Sequence, residues 1–458
     1  MCMKVKKVLA MVASSVMLAG VIAGCGDSGS SSATSSATTG NVSSESSGSE
    51  KTSSSSKGNT GEADMDSVTI GVLLPLTGDT SAMGVKTKNA IEMFFEDYNE
   101  NGGIKSMGGA KVNLVVADTT SSSEVAVTEI ERLIQQEDVD ILIGPYQSAA
   151  GAATAPIAEK YGVPYLLTSS CADEIMKNNY NYVFRANVCI DDAGSTIFDF
   201  FNSYNDVYGY MPQKYAVVYE NTDWGMSCYD MVKRYVEQNG GELVVEEAFT
   251  SNNSDFSSII NKVKSSGAEI VFPMCYLNDA VLFTQQMSEY QCDATIVACG
   301  GGFTSSDYIA NVGELSNYVI AEAGWSLGVL DYKGEEGAAI NEKYSSLYGE
   351  ELDEYSAFGY FNSGILANVL ERAASTDADK IVEAFLATDL DSDDPELSLM
   401  QYDGVYFADE RSDGQTHQNT KCSNVMTQII DGEYKVIGPV SMVGEPECEF
   451  PAPAWAER

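Results

Sequence analysis

Short, nearly continuous apolar runs alternate along most of this chain with stretches of helical period. The runs at 68–74, 112–117, 140–144 and 165–167 read as buried strands. After the first, Ala90, Ile91, Phe94, Phe95 and Tyr98 recur at i, i+3 and i+4, the spacing of one helix face. That helix stops at Asn101-Gly102-Gly103, and another covers 125–136. Strands apolar on both faces, each followed by a helix, predict a parallel sheet covered on both sides. The alternation restarts after Arg185, with strands at 214–219, 243–248, 269–274 and 294–299 and helices between them. The predicted fold class is α/β, two doubly wound Rossmann-like lobes joined by a hinge.

In open α/β sheets, ligands bind in the crevice outside the carboxyl ends of the strands. Those ends carry candidate chemistry in both lobes. Ser148 follows the strand at 140–144, and Ser169, Ser170 and Cys171 follow the strand at 165–167. Trp224 and Tyr276 follow two strands of the second lobe. A serine after a strand is equally favoured as a helix N-cap, and the two roles are compatible because a capped helix start attracts anions. Trp224 and Tyr276 read either as cleft aromatics or as core residues, and their neighbours Gly225 and Asn278 favour the cleft. Met83 is balanced between the cleft and gap-filling in the core.

Beyond 300 the pattern loosens. A strand near 319–325 leads back towards the first lobe, where a helix over 355–374 packs through Phe358, Phe361, Ile365, Leu366, Val369 and Leu370. Runs at 405–409, 424–430 and 434–440 predict antiparallel strands joined by turns. The expected division is a first lobe from 66–187 and 321–400, a second from 188–320, and a return to the second with a tail over 401–458.

The amino terminus is of another kind. Lys4, Lys6 and Lys7 precede an apolar core at 8–19, too short to span a bilayer comfortably, which ends Ala23-Gly24-Cys25. This resembles a bacterial lipobox and implies a signal peptide over 1–24 with lipid on Cys25. Residues 25–65, largely Ser, Gly, Thr and Ala, cannot bury enough apolar area to offset ordering entropy, so a flexible tether is expected. The protein is therefore expected to be anchored to the outer face of the bacterial cell membrane rather than to cross it.

Net charge excludes one class of partner. At −41 over 458 residues the surface repels phosphate backbones, so no nucleic-acid binding by charge is expected. Only one histidine exists, His417, in a polar stretch read as a surface loop, so a Ser-His or Cys-His pair would depend on it alone. A secreted hydrolase conflicts with that count, and no catalytic residue is assigned. The ten cysteines lack Cys-x-x-Cys spacing, which gives no support for a zinc site, and no metal is expected. Cys422 and Cys448 are the first candidates for a bridge, with buried free thiols an equal alternative. Gly300-Gly301-Gly302 lacks the spacing of a dinucleotide fingerprint and there is no Walker-type Gly-Lys-Ser/Thr, so no cofactor is expected; the glycines read as close backbone approach at a turn.

Several stretches together resemble type I periplasmic binding proteins, in particular the leucine/isoleucine/valine-binding family of ABC-transporter receptors. They are 70–78 (IGVLLPLTG), 99–103 (NENGG), 138–145 (DVDILIGP), 182–185 (YVFR), 219–225 (YENTDWG), 255–260 (DFSSII) and 425–432. The likeness covers roughly 66–439. It implies a ligand carboxylate on Ser148, a carboxylate and ammonium on the loop Ser169 to Cys171, an aromatic wall at Trp224 and Tyr276, and a first-lobe contact at Met83. Two departures follow from the same correspondence. The family's threonine is here Cys171, a weaker hydrogen-bonding group. The family's second-lobe carboxylate falls within Gly300 to Gly302, so either another acid, with Asp192, Asp223 and Asp279 as candidates, pairs an ammonium, or the ligand is not an ordinary α-amino acid. The family's first-lobe cysteine pair falls on Ser121 and Gln147, so that disulfide is absent. The implied function is a monomeric solute receptor that closes on a small amino-acid-like ligand and delivers it to ABC permease and ATPase subunits. The alternative is a sensor reporting to a membrane signalling partner.

Overall fold

The computed structural model describes residues 67–458. The candidate lipidation site Cys25, the signal peptide and the tether lie outside the described residues. Within them no helix is long and apolar enough to cross a membrane.

The first lobe runs β1 (Ser67–Leu74), α1 (Ser81–Glu100), β2 (Lys111–Asp118), α2 (Ser123–Gln135), β3 (Ile141–Ile143), α3 (Ser148–Tyr161), β4 (Tyr165–Leu167), α4 (Asp173–Met176) and β5 (Val183–Arg185). Its strands form a wholly parallel sheet in the order β2-β1-β3-β4-β5. The second lobe continues with α5 (Ile190–Tyr208), β6 (Lys214–Glu220), α6 (Asp223–Gln238), β7 (Glu242–Phe249), α7 (Ser257–Ser266), β8 (Ile270–Met274), α8 (Leu277–Glu289), β9 (Thr295–Cys299), α9 (Ser306–Val312) and β10 (Ile320–Ala323). Its parallel strands lie in the order β7-β6-β8-β9-β10, the same topology as the first lobe. Buried Val, Ile and Phe on both faces of the inner strands explain why these strands run parallel under helices on both sides.

The chain then crosses back. α10 (Glu335–Tyr348), α11 (Glu354–Ala373) and α12 (Ala378–Leu386) join the first-lobe core, with Phe358, Phe361, Ile365, Leu366, Val369 and Leu370 all buried in it. A small antiparallel pair, β11 (Asp389–Asp391) and β12 (Gly404–Tyr406), also belongs there. The return to the second sheet comes later than the expected boundary at 401. Tyr402, Val405 and Phe407 pack in the first-lobe core, and Arg185 bridges to Gln418. Only β13 (Val425–Ile430), antiparallel to β10, and β14 (Glu433–Gly438) extend the second sheet.

Two local expectations are corrected. All eight described cysteines are free thiols, Cys422 and Cys448 included. Cys422 is instead held by the Asn419 carbonyl at 3.2 Å. His417 is no free surface residue: its ring stacks on Phe184 at 4.5 Å and its backbone carbonyl accepts the Arg185 amide.

Candidate functional site

The carboxyl ends of the two parallel sheets face each other around a cavity of about 60 Å³. The first-lobe wall is set by two adjacent loops. Ser148 is the first residue of α3, while the N-cap position belongs to Gln147, which makes no side-chain capping bond. The Ser148 hydroxyl instead accepts the Ala172 amide at 3.2 Å, tying the β3–α3 loop to the loop after β4. Ser170 completes that tie, its hydroxyl lying 3.2 and 3.0 Å from the Pro145 and Gln147 carbonyls. It is fully buried and does not reach the cavity, contrary to the expectation from sequence.

Ser148, Ser169 and Cys171 all line the cavity. The Ser169 hydroxyl is buried and has no hydrogen-bond partner within the protein. Leaving such a group unmatched costs about 1–3 kcal/mol. Burial pushes the Cys171 thiol well above its ordinary range, so it stays a neutral, weak donor. Behind the loop, Arg185 at the end of β5 is fully buried. Its guanidinium donates to the Ser170 and Ala172 carbonyls at 3.1 and 3.0 Å, and to Gln415 and Gln418. It fixes the loop's shape and brings a positive charge to the cavity wall.

The second-lobe wall is aromatic. Trp224, at the start of α6, stacks on Tyr276 with ring centroids 5.1 Å apart. Tyr276 meets Tyr146 of the first lobe at 5.6 Å, and Tyr146 meets Tyr355 at 5.2 Å, edge to face. This row crosses from one lobe to the other. Glu220, at the end of β6, accepts the Tyr276 amide at 2.9 Å and so orients that residue.

The central residue of the triple glycine is set by the tryptophan. Gly301 has φ +65, and a Cβ there would lie 2.7 Å from both the Trp224 ring and the Cys275 carbonyl. Gly301→Ala is therefore expected to destabilise the chain by about 1–3 kcal/mol and to shift the Trp224 emission, checked by denaturant titration and fluorescence.

Two acids that sequence reading did not single out occupy this site. Glu322, in β10, and Glu354, the first residue of α11, both line the cavity. The Glu354 carboxylate accepts the Gly324 amide at 2.6 Å and the Thr304 hydroxyl across the cleft. It stands 3.9 Å from where a Gly300 Cβ would be, so an acid does reach the side of the cavity that the glycines leave bare. Burial pushes its carboxyl up to about 7, against the pull of the Thr304 and Gly324 bonds. Burial, and then the charge of Glu354, pushes Glu322 up to about 8.

The acids expected from sequence to fill this role are elsewhere. Asp192 is forked by Arg411 at 3.1 and 2.8 Å. Burial pushes its carboxyl up, but the Arg411 guanidinium outweighs this and holds it low. Asp223 is exposed, and Asp279 accepts the Asn252 and Asn253 amides beside Glu220. Met83 is also off the cavity: it is fully buried in the cluster that supports Tyr146 and Tyr355 from behind. Among the described residues no group of three or more His, Cys, Asp or Glu is placed to hold a metal ion.

Two lobes of identical strand order around an interlobe cavity describe a fold that the family comparison makes specific. The sequence profile of the periplasmic binding protein family matches residues 67–433. The chain belongs to that family. As a periplasmic binding protein it is 27% identical over 394 residues to the Leu/Ile/Val-binding protein homolog 7 of Brucella abortus, covering 81% of this chain and 91% of that one. Its fold is similar to a branched-chain amino acid transporter substrate binding protein of Streptococcus pneumoniae in complex with isoleucine, at TM-score 0.69 and 22% identity, over 81% of this chain and 100% of that one. It is also similar to a solute binding protein of R. palustris in complex with benzoate, at TM-score 0.67 and 18% identity, over 81% and 96% of the two chains. This periplasmic binding protein is closed in the structure: besides Thr304 and Glu354, the Tyr355 hydroxyl donates across the cleft to the Gly301 carbonyl.

Proposed function

We propose that this chain is the extracytoplasmic solute receptor of an ABC importer and that it closes on a compact amino-acid-like ligand. One observation carries the reading: the cavity at the strand ends holds hydroxyls and a buried arginine from the first lobe together with two carboxylates, Glu322 of β10 and Glu354 of α11. The free Ser169 hydroxyl and Ser148, at the start of α3, suit a carboxylate or carbonyl. Glu354 and Glu322 suit an ammonium, which would replace the proton that burial favours on them. Trp224 and Tyr276 cover the apolar part. The cavity is narrow, about 60 Å³, which favours a small solute. In this reading closure presents a surface to permease subunits, the energy comes from a partner ATPase, and the monomer is held outside the cell by lipid on Cys25. The same reading assigns the chain no catalytic step.

A thermal-shift screen of amino acids, short amides, purines and small carboxylates tests this, with a large shift expected from a zwitterionic amino acid. Shifts confined to ligands without an ammonium would overturn the role given to the two glutamates. With the ligand in hand, Ser148→Ala is expected to weaken binding about ten-fold by calorimetry, the worth of one hydrogen bond of about 1.4 kcal/mol. Unchanged affinity would remove Ser148 as an anchor.

A further inference from the structure

A second cavity, of about 630 Å³, lies between the lobes beside the crossover that follows β10. One wall comes from the second lobe, through Ile309 of α9 and Tyr434 of β14; the other comes from Trp325, Ser326 and Leu352. Its volume falls within the range of small-molecule sites, roughly 300–1,000 Å³. Two features point to an occupant. Ser326 is only 6% exposed, yet its hydroxyl has no hydrogen-bond partner. Around this apolar interior, the exposed carboxylates of Asp331 and Glu351 line the cavity. The lining also shows which charge it accepts, since Ser306 and Asp353 already hold one ammonium, that of Lys86, at 2.6 and 3.2 Å. Glu433 is paired with Lys435 within the lining itself, and the Lys435 ammonium also feels the Asp331 charge, which leaves Glu351 the carboxylate further from a cation.

We propose that this cavity is a second binding site, one that takes an organic ammonium ion with a compact aromatic or branched apolar body. The Ser326 hydroxyl meets a polar group of the occupant, Trp325 and Leu352 bury its body, and Asp331 and Glu351 face its charge. Because the walls belong to different lobes, an occupant has different contacts in each state of closure and biases that equilibrium. Glu354 lines both this cavity and the one at the strand ends, so the two sites share a wall residue. Coupling carried by that residue is reciprocal: each occupant changes the affinity of the other by the same factor.

Trp325 provides the readout, being one of three tryptophans in the chain. The full-length protein, labelled with nitrogen-15 at its indoles, is titrated with phenethylammonium and separately with 3-phenylpropionate, which has a similar body and the opposite charge. Phenethylammonium is expected to move the Trp325 resonance saturably, and 3-phenylpropionate is expected to leave it in place. Ile309→Arg, at a half-buried position, places a competing guanidinium in the cavity and should abolish the response while the other two indole resonances stay put. Ser326→Ala should weaken it about ten-fold. The proposal is overturned by no saturable shift up to about 10 mM, by an equal response to the anion, by a response that survives Ile309→Arg, or by movement of the Trp224 resonance alone, which would place the probe at the strand ends.

Discussion

At pH 8 the Glu322→Gln variant is expected to be more stable than the unaltered protein, by on the order of 4 kcal/mol, and at pH 4.5 the two are expected to be nearly equal. Glu322 lies in a strand whose four residues are all buried, and it is itself 3% exposed. Burial first, and the neighbouring Glu354 charge second, raise its carboxyl from 4.5 to about 8, while the Cys299 thiol opposes them weakly. Because the folded value lies above the unfolded one, folding favours the protonated acid. That stability is complete below pH 4.5 and is lost as pH rises through about 8. The difference of about 3.5 units, at about 1.4 kcal/mol each, sets the magnitude. Glutamine mimics the protonated acid and cannot ionise, so the variant should lack this slope. Urea titrations at half-unit steps between pH 4.5 and 8 measure it, and parallel curves for the two proteins would sink the argument. A cationic ligand that pairs Glu322 should flatten the slope of the unaltered protein as well.

The same residue shows what the sequence made legible and what it did not. Strand and helix periodicity located both lobes, and the strand-end rule led to Ser148, Ser169, Cys171, Trp224 and Tyr276, all of which line one cavity. Periodicity works there because a parallel sheet forces apolar residues onto both faces of each strand. Glu322 carried a signal that went unused: a lone acid inside an apolar strand is costly to bury and so asks for a reason. Glu354 offered no such signal, because an acid in the first turn of a helix is ordinary and its reach to Gly300 depends on how α11 packs against the other lobe. Ser170 went astray for a different reason: sequence places it on a loop, but rotation about the loop decides whether its side chain faces the cleft or the layer behind it. Met83, balanced in sequence between cleft and core, falls in the first turn of α1 and faces the core. The late return at Val425 was hidden because Tyr402, Val405 and Phe407 are as apolar as second-lobe strand residues, and only the packing distinguishes the two cores.

Lys86→Met is expected to cost about 3–5 kcal/mol and to open the cleft. Lys86, on α1, is 4% exposed, and its ammonium meets Asp353 at 3.2 Å and Glu350 at 2.9 Å within the first lobe. Across the cleft it meets Ser306 at 2.6 Å and Asp307 at 3.3 Å, the first two residues of α9. Burial alone would pull its pKa down, but the three carboxylates outweigh that and hold it above the ordinary value, so it remains charged. Methionine keeps most of the volume and removes the charge, which strands the buried Asp353 carboxylate. Asp353 also caps α11 through the Tyr355 and Ser356 amides, so the loss reaches the helix that carries Glu354. Asp307→Asn separates the two effects. Asp307 is 36% exposed, so its loss should change stability by no more than about 1 kcal/mol. It removes one of the two cross-cleft partners of Lys86 without stranding a buried charge. The radius of gyration from small-angle scattering should therefore rise in both variants, while the melting temperature should fall sharply only in Lys86→Met. A radius unchanged in both would mean that closure rests on the bonds of Glu354 and Tyr355 alone, and the Lys86 cluster would then stabilise the first lobe without acting on the cleft.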